Sequence, residues 1–365
     1  MLQEAVKTVT SSRVLSRLGR LSAGRGFHAL ASRLLSLSDF VDEDLERIEA
    51  SLASLEMPDA LIGRGAGHLM DLGGKRLRPL CVALASRMGS GFDSSALDLA
   101  VAVELVHNAT LLHDDVVDLA DSRRGVATAR TEFGNAASIF AGDWLLIEAL
   151  RRVRAAGLPG LLDSLLDTIE EMILAESVQL EHRGRLEADR AAYLEVAEGK
   201  TAALFRWAMA AGGQAGGLPP AQCRQLSEYG RHLGVAFQVI DDLLDLTGDA
   251  AATGKNLFTD LRDGMVTYPL ILAMEAKPEL RLVLQQALAN SSGTSGEATG
   301  PQGSEEEARW QQVVNLVRGS GAVEASRDYA RQRCERAVQN LHGLPDGRPR
   351  RTLRNVAEST VHRER

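Results

Sequence analysis

The chain has 365 residues, 45% of them hydrophobic and only 4% aromatic, and 49 acidic against 41 basic residues give a formal net charge of −8. That balance excludes a global basic footprint for nucleic acid, although local basic clusters can still bind anionic small molecules. Three cysteines, Cys81, Cys223 and Cys334, lie far apart without CxxC spacing, so they read as buried or incidental thiols in a reducing compartment and not as a disulfide frame or zinc site.

Between Ala5 and Ser38 the chain carries Lys7, Arg13, Arg17, Arg20, Arg25 and Arg33 with frequent serines and no acid. Such a composition resembles an organelle transit peptide. Glu4 interrupts its start and the pattern is short, which favours a basic N-terminal segment over residues 1–38, helical or partly disordered. From residue 39 to 365 one domain is expected. Helical patterning begins near Ser38, where Ser38-Asp39-Phe40 precedes the acid-rich turn Val41–Leu45, which suits the helix dipole. Ala and Leu abound and strand-type alternation is scarce, so the fold class is all-α, a helical bundle. Glycines and prolines punctuate the helices at Gly73-Gly74, Gly89–Gly91, Gly157–Gly160, Gly212–Pro220 and Gly248. No apolar run approaches the roughly 18 residues that span a bilayer. A flexible loop is expected near 290–307, where Gly, Ser, Thr and Glu leave almost nothing to bury. A helix over Gly321–Leu341, a turn at Leu344–Gly347 and a short basic helix complete the chain.

Two carboxylate clusters stand out. The first is Asp114-Asp115-Val116-Val117-Asp118, followed by Asp121; the second is Asp241-Asp242-Leu243-Leu244-Asp245, with Gln238 before it. On a helix, positions i, i+4 and i+7 share a face, so Asp114, Asp118 and Asp121 are expected to project together, with His107 on the same stripe. Like charges one turn apart cost roughly 0.2–0.5 kcal/mol per pair. The apolar flanks Leu111-Leu112, Val116-Val117, Val239-Ile240 and Leu243-Leu244 imply burial, which raises that cost. A divalent cation resolves it: Mg²⁺ takes oxygen ligands from few carboxylates and completes its shell with phosphate and water.

Basic groups flank both clusters and the glycine breaks: Gly74, Lys75 and Arg78 in Gly73-Gly74-Lys75-Arg76-Leu77-Arg78-Pro79, then Arg123-Arg124-Gly125, Gly199-Lys200-Thr201 and Gly254-Lys255-Asn256. Glycine lets a backbone approach a ligand, lysine offers a point charge and arginine a planar fork for phosphate. Neither Gly-Lys pair has the upstream glycine of a Walker loop. Two groups of cations suggest two anionic substrates, one of them bridged by metal. Trp144, Trp207 and Trp310 read as packing groups, and His28, His182, His232, His342 and His362 show no ligand spacing.

In combination and in order, GGKRLRP (73–79), LLHDDVVDLADSRRG (111–125), GNAASIFAGDWLL (134–146), EGKTAALF (198–205) and FQVIDDLLDLTGDAAATGKN (237–256) resemble the trans-polyprenyl diphosphate synthases, of the long-chain type such as octaprenyl and solanesyl diphosphate synthases. The resemblance covers about Phe40 to the C-terminus. It implies an isoprenoid synthase-type helical bundle around a deep central cavity and a Mg²⁺-dependent prenyltransferase that condenses isopentenyl diphosphate with an allylic diphosphate. By resemblance, Asp114, Asp115, Asp118, Asp241, Asp242 and Asp245 hold Mg²⁺. Arg123, Lys200, Thr201, Gln238 and Lys255 contact the allylic diphosphate, and Gly74, Lys75, Arg78, His107 and Arg124 hold isopentenyl diphosphate. Catalysis then falls on Asp114, Asp115, Asp118, Lys200, Asp241 and Asp242. A homodimer, peripheral membrane contact for product release without a transmembrane anchor, and a cytoplasmic location, with mitochondrial targeting by residues 1–38 as the alternative, complete the expectation.

One position departs from the family. Gly264-Met265-Val266-Thr267 carries Met265 where similar sequences have lysine, so one positive charge at the allylic diphosphate is missing. An active enzyme with weaker allylic binding follows, or else an impaired subunit of a heteromeric synthase. A terpene cyclase would need no second diphosphate site, so GGKRLRP and Arg124 count against it. Ala109 and Thr110, small residues about 7.5 Å along the helix from the first cluster, leave room for a growing chain and point to a heptaprenyl to decaprenyl product, with a geranylgeranyl or farnesyl synthase as the alternative.

Overall fold

The computed structural model describes residues 28–186, 189–247, 259–262, 264–291 and 301–361. In chain order the elements are α1 (His28–Ala53), α2 (Leu61–Asp71), α3 (Leu77–Ser86), α4 (Ser94–Val117), the strands β1 (Ser122–Arg123) and β2 (Val126–Ala127), α5 (Ala129–Phe133), α6 (Asn135–Ala156), α7 (Leu161–His182) and α8 (Arg190–Val196). A π-helical turn (Ala197–Ala202) follows, then α9 (Ala203–Ala215), α10 (Pro220–Thr247), α11 (Thr259–Arg262), α12 (Tyr268–Ala276), α13 (Glu279–Ser291), α14 (Pro301–Arg318), α15 (Ala322–Asn340) and α16 (Arg348–Val361). The described chain is therefore all-α apart from one antiparallel hairpin.

Two compact units divide the chain, the first formed by Met1–Ile169, Leu204–Gly230 and Val338–Ser359, the second by Glu170–Ala203, Arg231–Ala337 and Thr360–Arg365. The first unit is built around α4. Asp93 caps this helix by accepting from the Ala96 amide at 2.8 Å, a contact worth about 1 kcal/mol. Every residue from Leu99 to Val103 is 0% exposed. Ala137, Ala141, Gly142 and Ala149 on α6 keep that neighbour thin enough to pack closely along α4. Ser138 Oγ donates to the Leu112 carbonyl at 2.8 Å and fixes the register between the two. Contrary to the sequence expectation, α4 is long and apolar enough to cross a membrane by length and composition. Two-thirds of that window (67%) is buried, because the helix is the unit's core.

In the second unit α12 is buried from Tyr268 to Met274 and packs on α8, α13 and α14. The first described helix already includes His28, within the segment 1–38 expected to be helical or partly disordered; residues 1–27 lie outside the described residues. Where the described residues meet the expected loop near 290–307 they are helical, since α13 includes Ser291 and α14 includes Pro301. Residues 292–300 lie outside the described residues.

Candidate active site

The first carboxylate cluster ends α4. The helix stops at Val117 and Asp118 is its C-cap, so the expected stripe does not reach Asp121. Leu119 turns the chain with φ +54°, and Asp121 instead pairs with Arg130 at 2.8 Å. Asp114 and Asp118 are half-buried, whereas Asp115 is 1% exposed and accepts two hydrogen bonds on Oδ1, from Arg123 Nε at 2.9 Å and Nη2 at 2.8 Å. Arg123 reaches it because β1 and β2 pair across the two-residue turn Arg124-Gly125, with φ +56° and +78°. Positive φ at both positions is the turn that matches strand twist, and glycine adopts it without strain. Arg124 points the other way, donating to the carbonyls of Gly73 and, at 3.2 Å, Leu72.

That contact joins the hairpin to the glycine turn before α3. There the three cations separate. Lys75 is exposed and Arg78 half-buried, its guanidinium 4.6 Å from the centre of the Phe205 ring. Arg76, left-handed with φ +50°, is 7% exposed and donates to Glu104 at 2.6 Å and to Glu49 at 2.7 and 3.2 Å. Burial opposes its charge, but Glu104 and Glu49 outweigh it and hold the guanidinium above its ordinary range. Gly74 lies close beside this pair, since a Cβ there would sit 2.8 Å from Arg76 Nη1. Burial lowers the Arg124 pKa, with Arg123 and Arg76 adding to the effect. Burial likewise pushes His107 well below its ordinary range, followed by the charges of Arg78, Arg123, Arg124 and Arg76. The imidazole is thus neutral among converging arginines, a setting that favours an arriving anion.

The second unit contains a cavity of about 190 Å³ whose walls include Tyr193, Lys200, Thr201, Gln238, Asp242 and Met265. Lys200 and Thr201 lie on the π-helical turn, a wide-turn geometry that frequently marks functional sites. Gly199 permits it: a Cβ there would come 2.7 Å from the Ala175 methyl on α7. Lys200 Nζ pairs with Glu176 and donates to Gln179 Oε1 at 2.8 Å, while Gln179 Nε2 donates to Met265 Sδ at 2.9 Å. Thr201 Oγ1 donates to Gln238 Oε1 at 2.6 Å, and Gln238 Nε2 donates to Asp242 Oδ1 at 2.7 Å. Tyr193 donates to the other carboxylate oxygen, Oδ2, at 2.5 Å. Asp242 is 3% exposed, and burial pushes its carboxyl up to about 6 against the opposing hydrogen bonds from Tyr193 and Gln238. Burial, with Asp242 beside it, also keeps the Tyr193 phenol protonated by raising its pKa well above the usual range. Asp241 is half-buried; Asp245 is 5% exposed and accepts from the Asp260 amide at 3.4 Å.

In the first unit the structure therefore gathers Arg78, His107, Arg123 and Arg124, and in the second Lys200, Thr201, Gln238 and Asp242. Lys255 lies outside the described residues. Tyr193, Gln179 and Glu176 escaped the sequence reading because they belong to no charged or glycine-bearing motif; only the fold aims them at Asp242 and Lys200. The donor set of both clusters is all oxygen, which suits a hard divalent cation. Among the described residues no three His, Cys, Asp or Glu side chains form a ready cage, so such a cation would complete its shell with phosphate oxygens and water.

Comparison with known proteins gives concordant results. The family model described as "Polyprenyl synthetase" matches residues 59–299. Octaprenyl diphosphate synthase of Escherichia coli is 33% identical over 335 residues, which is 91% of this chain and 99% of the relative. Component 2 of the heptaprenyl diphosphate synthase of Geobacillus stearothermophilus is 32% identical, covering 89% of this chain and 97% of its own length. A crystal structure of a Caulobacter crescentus polyprenyl synthase, complexed with calcium and isoprenyl diphosphate, superposes with a TM-score of 0.81 at 33% identity, covering 90% of this chain and 97% of that one.

Proposed function

This chain belongs to the polyprenyl synthetase family of prenyltransferases, and from that premise we propose that it condenses isopentenyl diphosphate with an allylic diphosphate, with Mg²⁺, to make a long all-trans prenyl diphosphate. The observation that carries this reading is the cavity lined by both Lys200-Thr201 and, some forty residues later in the chain, Gln238 and Asp242. Lys200 and Thr201 offer a cation and a hydroxyl to a diphosphate, and the aspartates offer oxygen to its counter-ion. Asp114, Asp115 and Asp118 in the first unit, and Asp241, Asp242 and Asp245 in the second, would each offer oxygen ligands to Mg²⁺, which would offset negative charge on a departing diphosphate. Lys200, Arg123 and Lys255 add to that charge stabilisation, which promotes ionisation of the allylic ester. Gly74, Lys75, Arg78, His107 and Arg124 bind the second diphosphate and present its alkene. The aspartates hold metal and transfer no proton in this scheme.

Incorporation of radiolabelled isopentenyl diphosphate by the purified chain, with Mg²⁺ and a series of allylic primers, tests the reaction, and mass spectrometry of the product tests its length. Ala109→Phe is expected to shorten the product. Unchanged lengths in a variant that melts like the parent would defeat the pocket argument. Met265 favours a second reading, a subunit that modulates an active partner, and the relative from Geobacillus is named as one component of a synthase. Silence toward every primer, followed by activity on adding a partner subunit, would select it. For the active enzyme, Met265→Lys is expected to lower the allylic KM. Self-association as a homodimer, transient membrane contact during product release and a cytoplasmic location belong to the same proposal.

A further inference from the structure

Tyr193 stands seven residues before Lys200 on α8, uncharged and outside every motif. Its phenol nevertheless begins a directed chain of hydrogen bonds. Asp242 as a carboxylate only accepts, so Tyr193 donates to Oδ2 and Gln238 must present its NH₂ to Oδ1. The Gln238 carbonyl is thereby turned toward Thr201, whose hydroxyl donates to it. Three elements, α8, the π-helical turn and α10, are linked through four side chains that all line the same cavity. The tyrosine ring has little freedom: its centre is 5.3 Å from the Tyr268 ring, which is 4.8 Å from Tyr329 on α15. Arg333, one turn further along α15, donates to the Tyr329 hydroxyl at 3.0 Å. It also donates to Glu198 at 3.0 Å, two residues from Lys200 on the π-helical turn.

We propose that Tyr193 is a positioning residue for diphosphate binding: it holds the Asp242 carboxylate, and through Asp242 it sets the orientation of Gln238 and Thr201. This inference rests on the function proposed above. Removing the hydroxyl takes the phenol donor from Asp242 Oδ2; the Tyr268 backbone amide still reaches the carboxylate, but its hold is weaker and the amide and hydroxyl beyond it are less firmly directed. A residue that served only packing would lose nothing on conversion to phenylalanine, because the ring stays.

The test uses the full chain, its Tyr193→Phe variant and Tyr329→Phe as a comparison that removes a hydroxyl from the same tyrosine stack outside the cavity. Calorimetric titration with inorganic pyrophosphate, with and without Mg²⁺ and well below the melting transition, reads binding independently of turnover. Steady-state kinetics then separates the two substrates. Tyr193→Phe is expected to weaken Mg²⁺-pyrophosphate binding about tenfold, equivalent to about 1.4 kcal/mol, and to raise the allylic KM while leaving the KM for isopentenyl diphosphate unchanged. Tyr329→Phe is expected to lose clearly less pyrophosphate affinity than Tyr193→Phe, since Arg333 keeps Glu198 as a partner when the Tyr329 hydroxyl is gone. The effects of Tyr193→Phe and Asp242→Asn should be non-additive in a double-mutant cycle, since one acts through the other. Parental affinity in Tyr193→Phe, additive effects in the cycle, or an equal loss in Tyr329→Phe overturns the inference. A parent chain that binds no pyrophosphate and incorporates no label overturns the functional reading, and this inference falls with it.

Discussion

Arg76 and Arg78 lie two residues apart and perform different work. Arg76 is turned inward onto Glu104 and Glu49, and Arg78 is laid over Phe205. Breaking a buried pair leaves an uncompensated charge and costs about 3–5 kcal/mol. Glu104→Gln keeps the Glu49 partner, so a loss of about 3 kcal/mol, at the low end of that range, is expected in urea unfolding. His107 supplies a pH signature. Its pKa in the folded chain is depressed, so the unfolded chain takes up the proton first as pH falls. Stability from this group is present above the unfolded value of about 6.5 and is lost as pH drops from there toward the lower folded value. Thermal melts of the ligand-free protein at descending pH should show that decline, and His107→Asn should blunt it.

At the scale of elements, the π-helical turn shows how packing overrides local preference. The stretch before and after it is ordinary α-helix, and nothing in AEGKTA itself demands a wider turn. Close approach of Gly199 to Ala175 on α7 allows it, and the turn carries Lys200 and Thr201 into the cavity wall. Gly199→Ala places a methyl 2.7 Å from the Ala175 methyl, too close for the backbone to stay where it is. A loss of about 1–3 kcal/mol is expected from the overpacking, with a fall in pyrophosphate affinity that calorimetry can follow. Ala175→Gly in the same chain should restore much of both. The hairpin after α4 acts in the same manner on the other unit, since its turn at Arg124-Gly125 sends Arg123 to Asp115 and Arg124 to the Gly73 carbonyl.

At the scale of the whole molecule, an exposed apolar stripe bears on self-association. On α7, Leu166, Ile173, Leu174 and Leu180 are 47%, 63%, 60% and 42% exposed, and their spacing puts them along one side of the helix. On α6, Phe140 and Ile147 are 56% and 48% exposed. Apolar surface of this kind on a helix side fits a second copy of the chain, the commonest partner for a symmetric interface. Light scattering with size-exclusion chromatography is expected to show a dimer for the parent and a monomer for the Ile173→Glu/Leu174→Glu variant. A monomeric parent would refute the assembly and leave the chemistry untouched.

The all-α class was legible in the sequence because helical periodicity is a local pattern, and repeated DDxxD spacing and glycine-flanked basic residues are the local patterns that nominate the site residues. Local patterns also misled at particular places: the Asp114–Asp121 stripe presupposes a helix that in fact ends at Val117, and the polar residues scattered through α4 hide that the helix is apolar enough on average to cross a membrane. What only the tertiary structure decided is which charge meets which partner. Whether an arginine serves a carboxylate, as Arg76 and Arg123 do, or stacks on a ring, as Arg78 does, depends on atoms contributed by distant segments, and so does the hydroxyl of Tyr193 that Asp242 accepts. Hydrogen bonds act over about 3 Å in space, and spacing along the chain records no such distance.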